Sequence, residues 1–179
     1  MGRRGGKCSF SNVVFGDCDL TGVDFSRASF DRVRFIGCTL DGADFTGATL
    51  GSYTSPFPVD IVGCPMRAAT MEGTDIVRAT FRNIDATGAS FVGATLNKTV
   101  WRAMDLTDTR WDERLHVLGD THVVNLTGDP DAVALVAKAN TDAAAKTRSA
   151  EESTRRGTRI GYGTSNPVRH LDQDTGPEL

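Results

Sequence analysis

The chain has 179 residues, of which 39% are hydrophobic, and its formal net charge at pH 7 is -3. That apolar fraction is low for a globular protein, so a conventional core would be thin. The small net charge argues against a strongly basic nucleic-acid-binding protein, and no apolar run reaches the roughly 18 residues of a membrane-spanning helix.

The N-terminus, residues 1–7, is glycine-rich and basic, and we expect it to be flexible. No apolar stretch follows it, so it does not have the pattern of a secretory signal. We therefore expect a cytoplasmic protein that makes no membrane contact and keeps its four cysteines as thiols.

From residue 8 onward, a large apolar side chain returns at every fifth position within each of two runs, with Ala86 as the exception. Nine such units occupy residues 8–52, and eleven more, shifted in phase by one residue, occupy residues 59–113. In the first run, a small or β-branched residue lies two positions before each large one, as Val23 does before Phe25. A period of five fits neither an α-helix nor a flat strand, so the chain must turn a corner every five residues.

The large residues of this period are predicted to point into one continuous core. Those that define the prediction best are Phe15, Leu20, Phe25, Phe35, Leu40, Phe45, Phe81, Phe91, Leu96 and Trp101. Residues 53–58 separate the two runs, and we interpret them as one irregular unit with a single inserted residue. Pro56 and Pro58 suit a bulge because they cannot donate a hydrogen bond to a sheet. This interpretation gives twenty-one units and places Ile61 on Leu40 and Phe81.

Several units resemble the motif of the pentapeptide-repeat family, which reads roughly Ala-Asp-Leu-x-x. Two close matches are Ala43-Asp-Phe-Thr-Gly47 and Met104-Asp-Leu-Thr-Asp108. The resemblance covers residues 8–113 and implies an all-β solenoid, a right-handed quadrilateral β-helix with four units per coil. The large residue of each unit and the residue two positions before it would then both point inward. The units would make about five coils, or a rod about 25 Å long at the usual strand spacing.

After the repeats, we expect a C-terminal cap at residues 114–128 and an α-helix at residues 129–152. Asp129 and Pro130 form a typical helix start. An apolar stripe, formed by Ala132, Leu135, Val136, Ala139 and Ala143, would be buried against the last coil or against a second chain. Residues 153–179 are rich in Gly, Thr, Arg and Pro and are predicted to be a disordered tail.

The sequence contains no motif that predicts catalysis. The four cysteines occupy small inward positions of the period, where a buried thiol behaves as a small apolar group. His116 and His122 are six residues apart, which matches no zinc pattern. We therefore predict no catalytic, cofactor-binding or metal-binding residues, no cofactor and no enzymatic activity.

Four units per coil would align Asp24, Asp44, Asp85 and Asp105 in one outward column, interrupted only by Pro65. These aspartates are either simple motif positions or an interaction site, and we expect Arg27 and Arg67 to cover part of them. Our first hypothesis is a scaffold or protein–protein interaction module that uses the outer faces of the solenoid. Its protein partner is unidentified, and the C-terminal helix offers a route to a homodimer.

The resemblance implies an alternative function. Some family members bind DNA gyrase and other type II topoisomerases by mimicking DNA, and an acidic column would suit that role. On either hypothesis, we expect no direct contact with nucleic acid.

Overall fold

The computed structural model describes residues 8–112, 115–118 and 121–159. The expectations for residues 1–7 and for the tail from residue 160 onward lie outside the described residues. The chain divides into two compact units after Thr147. The first unit contains the repeats, and in the second unit residues 148–159 are helical.

The repeats build two parallel sheets of six strands each. The first sheet contains, in order, β1 (Ser9–Ser11), β3 (Ser29–Asp31), β5 (Thr49–Leu50), β7 (Asp75–Val77), β9 (Thr95–Asn97) and β11 (His116–Leu118). The second contains β2 (Val14–Gly16), β4 (Arg34–Ile36), β6 (Val59–Val62), β8 (Ala79–Asp85), β10 (Val100–Leu106) and β12 (His122–Gly128). Because consecutive strands alternate between the sheets, the chain winds as a solenoid of about six coils.

Each coil has four sides. Side 1 holds the strands of the first sheet, and side 2 holds β2, β4, β6 and the first halves of β8, β10 and β12. Side 3 comprises the units that begin at Cys18, Cys38, Cys64, Ile84 and Met104, and side 4 those that begin at Val23, Ala43, Ala69, Ala89 and Thr109. Outside the named strands, sides 3 and 4 are joined from coil to coil by single bridges, such as Asp24 with Asp44.

The large residue of each unit stacks on its equivalent in the next coil. On side 2, Phe35 pairs with Phe15 and Ile61, and the rings of Phe15 and Phe35 stack 4.8 Å apart. Of the ten core residues named from the sequence, eight are buried, whereas Phe15 and Leu20 are half-buried against the same core. Both half-buried residues belong to the first coil, which has a neighbouring coil on one side only.

The segment 53–58 does not form a side of the solenoid, so the interpretation of an irregular unit was wrong. Leu50 pairs with Ile76, and Ile61 pairs with Phe35 and Phe81 rather than with Leu40. Each of the pairs Leu50–Ile76 and Phe35–Ile61 spans 26 residues instead of 20, so six residues leave the coil as a loop at the corner between sides 1 and 2. The segment is a poor side because its two prolines cannot donate hydrogen bonds to a neighbouring coil. Its one phenylalanine, Phe57, is 57% exposed and does not fill an inward position.

The solenoid also continues past the predicted repeats, which accounts for six coils instead of about five. β11 and β12 pair with β9 and β10 and place Val117 on Leu96 and Val123 on Trp101. These pairs are 21 and 22 residues apart, so a strict five-residue period does not reach them. Residues 115–118 and 121–128, expected within a cap, are therefore part of a final irregular coil.

The helix α1 (Pro130–Arg159) follows the last coil. The Asp129 carboxylate accepts a hydrogen bond of 2.9 Å from the Asp131 N–H at its start. Ala132 and Val136 are buried in the solenoid core cluster. The helix runs past the expected end at Glu152, so residues 153–159 are helical rather than part of a disordered tail. Within the described chain, no helix is long and apolar enough to cross a membrane.

Candidate interaction surfaces

The interior of the solenoid is filled by side chains, which directs attention to its outer faces. Cys38 and Cys64 are buried free thiols on side 3, and Cys38 Sγ donates a 3.3 Å hydrogen bond to the Phe15 carbonyl. Burial raises the pKa of the Cys64 thiol, which keeps it neutral and unreactive. Among the described residues, no cluster of His, Cys, Asp and Glu could hold a metal ion.

The four aspartates predicted as one column lie on two different sides. Asp24 and Asp44 form a bridge on side 4 and are followed there by Thr70. Asp85 and Asp105 pair with each other in β8 and β10, on side 3. The prediction was wrong because it counted the loop as a side, which moved every later unit to the neighbouring side.

Each of these four carboxylates stabilises its own turn. Its Oδ1 accepts a hydrogen bond from the backbone N–H two residues later, at 2.8 to 3.1 Å. Asp85 also accepts a hydrogen bond of 2.7 Å from the Thr87 hydroxyl. Hydrogen bonds from Ser26 lower the pKa of Asp24, and hydrogen bonds from Thr87 lower the pKa of Asp85. The lowered pKa keeps the Asp24 and Asp85 carboxylates ionised near neutral pH while they stabilise their turns.

One arginine neutralises the middle of side 3. Arg67 Nε donates to Asp85 Oδ2 at 2.7 Å, and its Nη1 lies 3.3 Å from Asp41 Oδ2. The hydrogen bond and charge of Asp85, with the charge of Asp41, raise the pKa of Arg67. Arg27, which we expected beside it, lies on side 4 instead. The Arg67 side chain is 56% exposed, so the pair is solvated and contributes little to stability.

Charge is divided between the two halves of the outer surface. In residues 8–112, the units of sides 3 and 4 contain nine acidic and three basic residues, a net charge of -6. The units of sides 1 and 2 contain four acidic and six basic residues, a net charge of +2. We call the first half the acidic surface. The overall charge of -3 hides this division.

The loop at residues 53–58 is a surface feature that the sequence reasoning missed. Tyr53 and Phe57 are 58% and 57% exposed, and Arg78 Nη1 donates a 2.7 Å hydrogen bond to the Ser55 carbonyl. A signal was present in the sequence: Pro56 and Pro58 flank an aromatic residue in a segment that breaks the five-residue phase. A solenoid corner can accept such an insertion because the stacked sides on either side of it are undisturbed.

Solved structures of repeat proteins share only a distant likeness with the chain. QnrB1, a plasmid-mediated fluoroquinolone resistance protein, is 16% identical over 69% of this chain and 68% of its own, with a TM-score of 0.38. A pentapeptide repeat protein from the Arabidopsis thaliana thylakoid lumen is 31% identical over 52% of this chain and 64% of its own, with a TM-score of 0.29. HetL, from the cyanobacterium Nostoc, is 12% identical over 70% of this chain and 89% of its own, with a TM-score of 0.22. With such low scores, these likenesses say nothing about function.

The repeats themselves give a specific match. No curated protein sequence matches the chain. The family model for pentapeptide repeats matches eight copies, in residues 8–47 and 64–109. The interval between the two matched segments includes the loop, and the matched repeats contribute large side chains to the stacked interior. The chain therefore belongs to the pentapeptide-repeat family.

Proposed function

We propose that the protein is a non-enzymatic interaction module whose acidic surface binds a basic surface of a protein partner. The observation behind this proposal is the net charge of -6 on two adjacent sides. Parallel coils repeat about every 4.8 Å, so these charges form a dense, regular array. Such an array attracts a basic partner over a long range and speeds its association. The filled interior supports a role in binding rather than in catalysis.

A second candidate partner is a type II topoisomerase such as DNA gyrase, whose DNA-binding surface would meet the acidic surface. The gathering of acidic residues on adjacent sides favours this candidate. The magnitude of the charge weighs against it. Duplex DNA carries about one negative charge per 1.7 Å, so five coils of about 4.8 Å would match roughly fourteen phosphates. A net charge of -6 is less than half of that.

The proposal is tested by removing charge without disturbing the turns. Asparagine retains the Oδ1 acceptor of each turn, so we would change Asp19, Asp24, Asp44 and Asp105 to Asn together. These four lie outside the Arg67 ion pairs. Basic proteins captured from native lysate by the unmodified chain should be lost with this variant, and their capture should weaken steeply with added salt.

A matched control has the same change of charge on the opposite half. Asp17, Asp31, Asp60 and Asp75 are the four acidic residues of sides 1 and 2 in residues 8–112, and replacing them by Asn should leave capture intact. Equal loss with both variants would contradict the proposal. A gyrase supercoiling assay separates the second candidate, because micromolar protein without effect on supercoiling removes it.

A further inference from the structure

We propose that the loop at residues 53–58 and the neighbouring arginines form a second docking surface, which binds an acidic protein segment that contains an apolar side chain. This surface lies at the corner between sides 1 and 2, away from the acidic surface. It would bind a partner of the opposite charge, so it does not depend on the function proposed above.

The loop is held in place by the solenoid before any partner arrives. Arg78 donates to the Ser55 carbonyl at 2.7 Å, and the Phe57 N–H donates to Ser55 Oγ at 3.3 Å. The Tyr53 hydroxyl lies 3.5 Å from Asp75 Oδ1, which ties the loop to β7. Pro56 and Pro58 restrict the backbone further. A partner would therefore bind a formed surface and lose little affinity to the ordering of the loop.

The loop presents aromatic side chains to solvent although the fold does not need them there. Tyr53 and Phe57 are both more than half exposed, and so is Val14 at 60%. Val14 lies beside Arg34 in the sheet register, next to the groove described below. In the rest of the described chain, only Leu118 and Val124 are large apolar residues with comparable exposure. Exposed aromatic residues on a rigid support are typical anchors of protein interfaces.

A groove of about 460 Å³ runs along the base of the loop. The apolar part of its lining comes from the loop, and the polar part comes from the first three coils. The lining residues are Asn12, Arg32, Arg34, Phe57, Pro58 and Asp60. A groove of this volume has room for one apolar side chain beside Phe57, and polar groups of the same segment would meet its polar lining.

Charge decides which kind of segment fits. Arg34 Nε lies 3.7 Å from Asp60 Oδ2 and its side chain is 56% exposed, so this ion pair is loose. Arg32 pairs with Asp31 at 3.1 Å but keeps 41% of its side chain exposed. Arg78 and Lys98 occupy, in the two coils beyond the loop, the corner position that Arg32 occupies in the second coil. Cations therefore flank the aromatic residues on both sides, which matches carboxylates on both sides of an apolar residue.

Fluorescence anisotropy with defined peptides tests the proposal on the full chain. The first probe is a labelled peptide of about twelve residues with Leu-Phe at its centre and Asp and Glu on both sides. A second peptide has Ser-Ser in place of Leu-Phe, and a third has Asn and Gln in place of the acids. We expect the first peptide to bind about tenfold more tightly than either of the others.

Variants with matched controls locate the site. Phe57→Ser and Arg34→Gln should each weaken binding of the first peptide about fivefold or more. Leu118→Ser and Arg102→Gln change an equally apolar and an equally charged exposed residue elsewhere on sides 1 and 2, and should leave binding unchanged. Equal binding of the three peptides, absence of binding, or equal effects of Arg34→Gln and Arg102→Gln would overturn the proposal. The fourfold Asn variant of the acidic surface should bind the peptide as the unmodified chain does, which keeps the two proposals separate.

Discussion

The second and third coils have equivalent inward-facing positions but differ in length. The second coil, residues 28–47, has 20 residues, whereas the third, residues 48–73, has 26 because it includes the loop. Phe30 nevertheless pairs with Leu50, and Phe35 with Ile61, in unbroken register. Stacking thus fixes which residues point inward, while the corners tolerate extra chain, since closing a short loop costs little free energy.

The arrangement of charges on the outer surface depends on whether the inserted residues form a side. After the loop the chain resumes on side 2, so each later unit lies one side away from the position that a continuous count would give it. This displacement places both Arg67 and Asp85 on side 3 and separates them from Asp44 on side 4. Whether these six residues form a side or leave the coil therefore decides on which side every later charged residue lies.

The largest effect should follow from a charge inside the shared core. Phe35 is fully buried between Phe15 and Ile61, so Phe35→Asp should abolish folding, because an unpaired carboxylate in an apolar column is very costly. Loss of the sheet signal in circular dichroism is the measurement. Phe57→Asp, on the exposed loop, is the control and should fold normally. A folded Phe35→Asp protein would show that the stacked interior is not continuous.

The entry to the loop should be the next most sensitive point. Gly51 has a φ of +94°, and a Cβ there would overlap the backbone carbonyl oxygen of Val77 in the next coil. Gly51→Ala should therefore cost about 3 kcal/mol or more in the free energy of unfolding.

Gly63 provides the matched control for this substitution. Its φ is +63°, but nothing lies within 4 Å of a Cβ at that position. Gly63→Ala should cost only about 1 kcal/mol, the penalty for the left-handed backbone. Denaturant unfolding measures both values, and equal costs would remove the steric argument.

Removing the loop should have a much smaller effect. Deleting residues 53–58 joins Ser52 directly to Val59, as Arg32 joins Val33 in the coil before, and shortens the third coil to 20 residues. The free energy of unfolding should change by no more than about 1 kcal/mol. Deleting residues 38–42, a complete side, should instead unfold the protein. If both deletions unfold it, the segment contributes to the solenoid after all.

The smallest expected effect concerns Asp75, beneath the loop. Burial raises the pKa of Asp75, and the hydrogen bond from Tyr53 only partly opposes this. A raised pKa means that stability present below the ordinary aspartate value of about 3.9 is lost as the pH rises through the folded-state pKa. Asp75→Asn should therefore stabilise the protein at pH 7 by less than about 1 kcal/mol, and the gain should fade near pH 4 and below.

Asp85 should change stability with pH in the opposite direction. Its pKa is lowered, chiefly by the Thr87 hydroxyl, so it contributes stability above the ordinary aspartate value that is lost as the pH falls. Asp85→Asn should be slightly destabilising at pH 7, and urea unfolding at several pH values compares the two variants. A loss for Asp75→Asn at pH 7 would contradict the role of burial.

Much of the fold could be predicted because the relevant pattern is local. The five-residue period identified the inward residues from Phe25 to Trp101 without knowledge of any contact, since each unit repeats the same geometry. The helix start at Asp129 was equally visible, because capping depends on neighbouring residues. The exact end of α1 could not be predicted, because the sequence has no strong stop signal there. The sixth coil could not be predicted either, because it departs from the five-residue period.

The sequence by itself determined that this protein is a solenoid and which side chains fill it. Only the tertiary structure decided which side each unit occupies, because an insertion of six residues looks the same along the chain whether it forms a side or leaves it. Stacking between coils resolves that choice: Ile61 gains Phe35 and Phe81 as partners once the loop is excluded. The acidic surface and the arginine-lined groove both follow from that choice, since the residues that form them are far apart in the chain and meet only when the coils are in register.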